Sequence, residues 1–227
     1  METLEEVKFW HLKNHQLFWV LSHTQIRQLC IIANFKKVKK GEILDLSDPD
    51  QSFIYLLKKG NLKIVQVDEN GNELIVDLIY QGEIFGELKN SSSSNPSEYA
   101  QVLSEKVVLC RFKAADFEKL LEQYPSLAIS YSKIVGFRLK RVKNKYSNLF
   151  FLNTKERLIA FLKEWAKREV QDLNGSITLS NYLTHKDISQ IICASRQTTT
   201  QLFNDWEKTG KIRYSRKEIF IKSLEEL

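Results

Sequence analysis

Five of the chain's eight glycines fall between positions 41 and 86, and the gaps from Gly60 to Gly71 and from Gly71 to Gly82 are each 11 residues. A break that often leaves no room for a helix of ordinary length, and it matches the rhythm of short strands and turns in a sandwich or barrel. The runs between the glycines agree: SFIYLLKKG, NLKIVQVDENG and NELIVDLIYQG are rich in β-branched and aromatic residues. Asn70-Gly71 between two such runs predicts a hairpin, because a two-residue turn with positive φ at both positions fits the strand twist. Residues 100–113, AQVLSEKVVLCRFK, supply further strand, and NSSSSNPSEY at 90–99 reads as a solvent-facing loop or short helical turn. Helical patterns bracket the block, at residues 4–33 and in AADFEKLLEQY.

The character changes at Pro125, after which no proline occurs. Proline suits a first helical turn. Val135, Leu139, Val142, Tyr146 and Leu149 then follow at spacings of 4, 3, 4 and 3, the seam of a two-helix pairing, with Lys140, Arg141, Lys143 and Lys145 between them. Self-association along this helix is expected; a surface helix packed on its own domain is the alternative. Asn153 with Glu156 three positions later is a capping-box pattern, so a new helix starts there and runs through RLIAFLKEWAKREV, with Asn174-Gly175 closing the connection after it.

ITLSNYLT reads as a strand and turn, and residues 184–208 as two short helices joined tightly. The first covers His185 to Ile192. The second has Ser195 as its N-cap, with Thr199, Leu202, Phe203 and Trp206 inward at helical spacing. Its other face is Arg196, Gln197, Thr200, Gln201 and Asn204, side chains that suit base edges and phosphates. Gly210 is a helix stop. KIRY and EIFI, joined by Ser215-Arg216-Lys217, form a hairpin with a basic tip, so Arg216 and Lys217 are candidate phosphate contacts.

Charge divides along the same line. Residues 1–124 hold 15 Lys and Arg against 18 Asp and Glu, net −3, whereas 125–227 hold 19 against 10, net +9. A basic C-terminal part favours contact with a polyanion; a helical protein-interaction unit is the other reading. No run approaches the ~18 apolar residues that span a membrane, and METLEEVKFW has no apolar core of a signal peptide. Cys30, Cys110 and Cys193 stand far apart, which fits a reducing cytoplasm and three small buried apolar residues. His11 and His15 have the i, i+4 spacing of a metal or haem pair, but no third ligand accompanies them, so a solvated pair is expected. No nucleophile–base set, phosphate loop or metal set suggests an enzyme.

Together LFWVLSHTQIRQL, KKGEIL, KKGNLKI, QGEIFGEL, NTKERLIAFL and ISQIICASRQTTTQLFNDWEKTGKI resemble the Crp/Fnr family of bacterial transcription regulators over about residues 15–222. The resemblance implies an α+β chain: an antiparallel cyclic-nucleotide-binding-like β-roll at 1–124, a long dimerisation helix at 125–150 and a winged helix-turn-helix at 151–227. It implies a homodimer on a pseudo-palindromic double-stranded DNA site, a small-molecule effector in the roll, and RNA polymerase as a further partner. Arg196, Gln197 and Gln201 would meet the half-site, and His185, Lys186, Ser195 and Thr198 fall where relatives contact phosphate. A sensor that acts through a protein partner without DNA is the alternative.

The departures concern the effector. Members that bind cyclic AMP follow Gly-Glu-Leu with an Arg-Ser pair, whose Arg meets the cyclic phosphate. Here Gly86-Glu87-Leu88 is present, but Ser97-Glu98 stands at the Arg-Ser place, and no Lys or Arg lies between Lys89 and Lys106. A phosphate in a dry site needs a counter-charge, so cyclic AMP is disfavoured, and Glu87 reads equally as a structural acceptor. Val142 and Lys143 stand where cyclic-AMP binders carry hydroxyls for the adenine. The cysteine cluster of an iron–sulfur sensor is absent. Gln197 replaces a frequent Glu, and Cys193 a frequent Gly.

Overall fold

A computed structural model describes residues 4–46, 52–88, 97–168 and 176–227. The chain divides into two compact units, Met1–Lys140 and Arg141–Leu227, with the boundary inside one long helix.

The first unit opens with helix α1 (Leu4–Lys13), a 3-10 turn (Gln16–Phe18) and helix α2 (His23–Ile32). Ser22 and Gln25 cap α2 reciprocally, each side chain accepting from the other's backbone N–H. Eight strands follow: β1 (Asn34–Lys39), β2 (Ile43–Asp45), β3 (Phe53–Lys59), β4 (Leu62–Val67), β5 (Glu73–Ile79), β6 (Ile84–Phe85), β7 (Ser97–Val102) and β8 (Lys106–Lys113). They form two antiparallel sheets in the orders β1-β8-β3-β6 and β2-β7-β4-β5. Helix α3 (Ala114–Gln123) and helix α4 (Pro125–Phe151) come next.

Two cores explain the strand sequences. Val38, Leu44, Tyr55, Leu57, Leu62, Ile64, Val102, Val107 and Leu109 fill one. Ile54, Leu56, Cys110 and Phe112 join Leu12, Phe18, Leu29, Phe117 and Leu127 of the helices in the other. β3 therefore carries apolar residues on both faces, which is why Ile54-Tyr55-Leu56-Leu57 shows no alternation.

The Asn70-Gly71 hairpin is present as β4–β5, but not with a two-residue turn. Gly71 has φ +80 and Asn70 does not take positive φ. The loop is five residues, 68–72, because the Asp68 carboxylate accepts from the backbone N–H of Asn70 at 2.9 Å and of Asn72 at 2.8 Å. The expected loop at 90–99 also needs correction. Ser97, Glu98 and Tyr99 belong to β7, paired with Val67, Gln66 and Val65, and 90–96 lie outside the described residues.

The second unit holds helix α5 (Thr154–Ala166), strand β9 (Ile177–Ser180), helix α6 (His185–Ile191), helix α7 (Arg196–Lys208) and strands β10 (Ile212–Tyr214) and β11 (Glu218–Ile221). The Asn153–Glu156 capping box is formed. Asn174-Gly175 lies outside the described residues. The strands make an antiparallel sheet in the order β10-β11-β9. Leu158, Leu162, Trp165, Leu179, Ile188, Phe203 and Ile219 are fully buried in this unit.

Gly86 shows how tightly the first unit closes. It has φ +97, and a Cβ there would lie 2.1 Å from the carbonyl oxygen of Phe53. Gly41, with φ +83, faces open space. Gly86→Ala is expected to cost about 3 kcal/mol or more, since backbone strain and overlap combine, and Gly41→Ala about 1–2 kcal/mol from strain alone. Urea unfolding of the two variants measures the difference.

Candidate nucleic-acid interface and effector region

Every element of the unit at 184–221 serves to present α7. Thr184 caps α6 in a reciprocal box with Asp187, and Ser195 caps α7 by accepting from Thr198 N–H at 2.9 Å. Between them Cys193 takes φ +52, the left-handed conformation that usually calls for glycine. Its side chain is exposed, which corrects the expectation of a buried apolar thiol; Cys30 and Cys110 are buried. The turn is held from α5. Arg157 donates from Nε to Ile192 O at 2.8 Å, from Nη2 to Cys193 O at 3.2 Å and from Nη1 to Leu152 O at 2.8 Å.

Along α7, Thr199, Phe203 and Trp206 are buried and Leu202 is half-buried. Arg196, Gln197, Gln201 and Asn204 are exposed on the other side, as are Lys186, Ser195 and Thr198 and the wing-tip residues Arg216 and Lys217. The three threonines have three different partners. Thr198 Oγ1 meets Ser195 Oγ at 2.8 Å, Thr199 Oγ1 donates to Ser195 O at 3.0 Å, and Thr200 Oγ1 donates to Arg196 O at 2.9 Å. Hydroxyls that bond the preceding turn offset the weak helix propensity of a β-branched run.

Two of the expected contact residues sit differently from their sequence reading. Thr200 is half-buried rather than exposed. His185 is also half-buried, with Nδ1 3.0 Å from Thr200 Oγ1 and Nε2 buried without a hydrogen-bond partner among the described residues. Burial first, and the neighbouring Arg196 guanidinium second, hold its pKa below the ordinary 6.5.

In the first unit, Glu87 is exposed and Leu88 half-buried. Glu98 is half-buried in β7, where burial and then the Glu87 carboxylate push its pKa above the ordinary range while Arg138 pulls the other way. Arg138 is the residue that the strand-by-strand reading missed. From α4 it donates through Nε and Nη2 to Asp77 Oδ2 at 3.0 and 2.8 Å, and through Nη1 to Ile84 O at 3.1 Å. Its signal in the sequence was only a lone arginine beside the apolar seam. Val142 and Lys143 are exposed on α4 and fall in the second unit. The seam itself is uncovered in the single chain: Val135 is 47%, Leu139 67%, Val142 54% and Tyr146 61% exposed.

His11 and His15 are not a solvated pair. His15 lies beyond α1, is buried, and caps the 3-10 turn, with Nδ1 accepting from Leu17 N–H at 3.2 Å and Nε2 donating to Gly82 O at 2.8 Å. Among the described residues no group of three His, Cys, Asp or Glu side chains is placed to hold a metal ion.

Known proteins agree with this architecture. Residues 35–124 match the family model of the cyclic nucleotide-binding domain, and residues 156–227 match that of the Crp-like helix-turn-helix domain. The cAMP-activated global transcriptional regulator CRP of Pasteurella multocida is 24% identical over 90% of this chain and 93% of its own. The fumarate and nitrate reduction regulatory protein of Escherichia coli K12 is 24% identical over 85% and 76%. The chain belongs to the Crp/Fnr family of transcription regulators. The solved structure of a CooA mutant from Carboxydothermus hydrogenoformans superposes with a TM-score of 0.70 at 20% identity, covering 88% of each chain. FixK2 from Bradyrhizobium japonicum does so with a TM-score of 0.72 at 16% identity, covering 86% of this chain and 95% of its own. In the sensor of this Crp/Fnr regulator the Glu87 and Arg138 charges both act on Glu98, and the Arg138 guanidinium is bonded to Asp77.

Arg157→Met leaves the carbonyls of Leu152, Ile192 and Cys193 without their donor, and is expected to cost about 2 kcal/mol; the thermal transition of the second unit reports it. The pH dependence of the first unit follows from His15. Burial lowers its pKa from 6.5, with the bond to Gly82 opposing, so the neutral ring is favoured in the fold. The unfolded chain then takes up a proton first as the pH falls, and stability is full above 6.5 and declines below it. His15→Asn should flatten the decline in urea titrations of the first unit between about pH 7 and 5, leaving the contribution of His11, which is lowered in the same sense.

Proposed function

We propose that the chain is a homodimeric, sequence-specific DNA-binding regulator in which α7 reads the major groove and α4 pairs with its copy. The observation that carries this is the division of α7: an aromatic inner face, and an outer face of Arg196, Gln197, Gln201 and Asn204 with no acid until Asp205. At a helix start arginine can donate twice to the guanine edge, and glutamine can donate to N7 of adenine while accepting from its N6 amino group. Lys186, Arg216 and Lys217 supply phosphate contacts to either side, with Ser195 and Thr198 at the helix N-terminus, where the dipole favours an anion. The five seam residues give α4 an apolar stripe of the kind that pairs helices. Two copies related by a twofold axis read a pseudo-palindrome.

The effector is a small molecule other than cyclic AMP. A cyclic phosphate at Ser97-Glu98 would meet the Glu98 and Glu87 carboxylates rather than an arginine. Regulation proceeds by binding to DNA and to the transcription machinery in the cytoplasm, with no catalytic step. Glu87, beside Gly86 and Leu88, is kept as a candidate effector contact, and Val142 and Lys143 as candidate contacts from the helix.

Selection from a random duplex library should return an inverted repeat with half-sites about 10 base pairs apart. Gln197→Ala should relax preference at one base pair by about 1–3 kcal/mol. Lys217→Ala should weaken every duplex alike and reduce the salt slope by about 1. Leu139→Lys should yield monomers in sedimentation. Absence of any salt-dependent duplex binding, with a folded protein, would favour a sensor that acts on a protein partner.

A further inference from the structure

His185 sits where three elements of the second unit meet. It is the first residue of α6; its ring stacks on Phe203 of α7 at 4.9 Å and 14°, and lies 4.6 Å from the Tyr214 ring of β10. Phe203 and Tyr214 touch each other at 5.2 Å. The imidazole is therefore the wedge between the first helix, the recognition helix and the wing.

Its hydrogen bonding follows from Thr200. That hydroxyl has one proton and donates it to Arg196 O at 2.9 Å. At its 3.0 Å contact with His185 the Thr200 oxygen can then only accept, so Nδ1 carries the ring proton. Nε2 is left as a buried lone pair without a partner. In this tautomer the ring offers no proton to a phosphate. The charged or titratable groups around it are Arg196 of α7, Tyr214 of β10 and, on α6, the exposed Lys186 and Asp187, whose carboxylate is turned back to the Thr184 cap. No carboxylate among these contacts the ring, so the surroundings favour the neutral form.

We propose that His185 is a positioning residue for sequence reading: by holding the Thr200 hydroxyl inside the unit, it leaves the γ-methyl as the part of Thr200 that meets DNA, so that Thr200 discriminates for a thymine methyl. This rests on the reading of α7 as the recognition helix. Arg196 and Gln197 read base edges by hydrogen bonds, whereas Thr200, one turn on, reads by apolar contact. His185 contributes without touching DNA, by fixing which end of Thr200 faces out.

The test uses the full chain on a site obtained by duplex selection. Each thymine of one half-site is replaced singly by deoxyuridine, and affinity is read by fluorescence anisotropy. One replacement should weaken the wild-type protein about fourfold, the effect of one buried methyl. Thr200→Val should keep that sensitivity and Thr200→Ser should lose it. His185→Asn, whose amide N–H can take the place of Nδ1–H, should keep it, while His185→Ala should lose it with circular dichroism unchanged. Thr200→Ser retaining the uracil penalty, or His185→Ala matching wild type while folded, would overturn the proposal. Should His185→Ala fail to fold, the Thr200 pair and retention of the uracil penalty by His185→Asn still decide. A chain that selects no duplex at all would fail the reading of α7 instead, a separate outcome.

Discussion

The packing beneath α7 is the interaction on which the DNA-facing surface depends. Arg-Gln-Thr-Thr-Thr-Gln is a weak helix by propensity, and an isolated 13-residue helix of this composition would be marginal in water. It is held because Thr199, Phe203 and Trp206 are buried and because Ser195 satisfies the first turn. Once the inner face supplies the stability, the outer face is free to be chosen for contact. The same logic explains the threonines: each hydroxyl is bonded within the first turn, so the segment keeps its helix without exposing an unsatisfied polar group.

The sensor is organised by a different constraint, a strand buried on both faces. β3 separates the core between the two sheets from the core under α1, α2, α3 and α4. Gly86 belongs to this constraint, since the backbone at the end of β6 approaches Phe53 too closely for any side chain. Its place in a Gly-Glu-Leu signature thus has a packing reason independent of any ligand. Arg138 adds a polar tie, joining α4 to Asp77 of β5 and to the Ile84 carbonyl of β6. That guanidinium is bonded to Asp77, while burial and the Glu87 carboxylate push the pKa of Glu98 up against its pull.

Much of this was legible in the chain. Glycine rhythm located the strands from Phe53 to Ile79, Pro125 the start of α4, Asn153 and Glu156 the start of α5, and Ser195 the start of α7, because each depends on neighbours in sequence. Position 193 was flagged because glycine is common there, and its positive φ shows the backbone reason. What failed was local where two local signals competed. Asp68 outbid the Asn70-Gly71 pair for the turn by bonding two backbone N–H groups, and Ser97-Glu98-Tyr99 became strand because β4 lay ready to pair with it.

The misreading of His15 and the silence of the sequence on Arg138 and Arg157 share one cause. Each is a long polar side chain that reaches a main-chain carbonyl far away in sequence: His15 to Gly82 across 67 positions, Arg138 to Ile84 across 54, Arg157 to Ile192 across 35. Periodicity tells which face a residue occupies, and a polar residue near an apolar stripe is then assigned to solvent by default. A carbonyl left over at a strand end or helix end has no side-chain identity and leaves no mark in the sequence, yet once it is half-buried it must find a donor. The residues that tie elements together in this protein are therefore the ones that composition and spacing assign to the surface, and the turn at Cys193 is rigid because Arg157 is one of them.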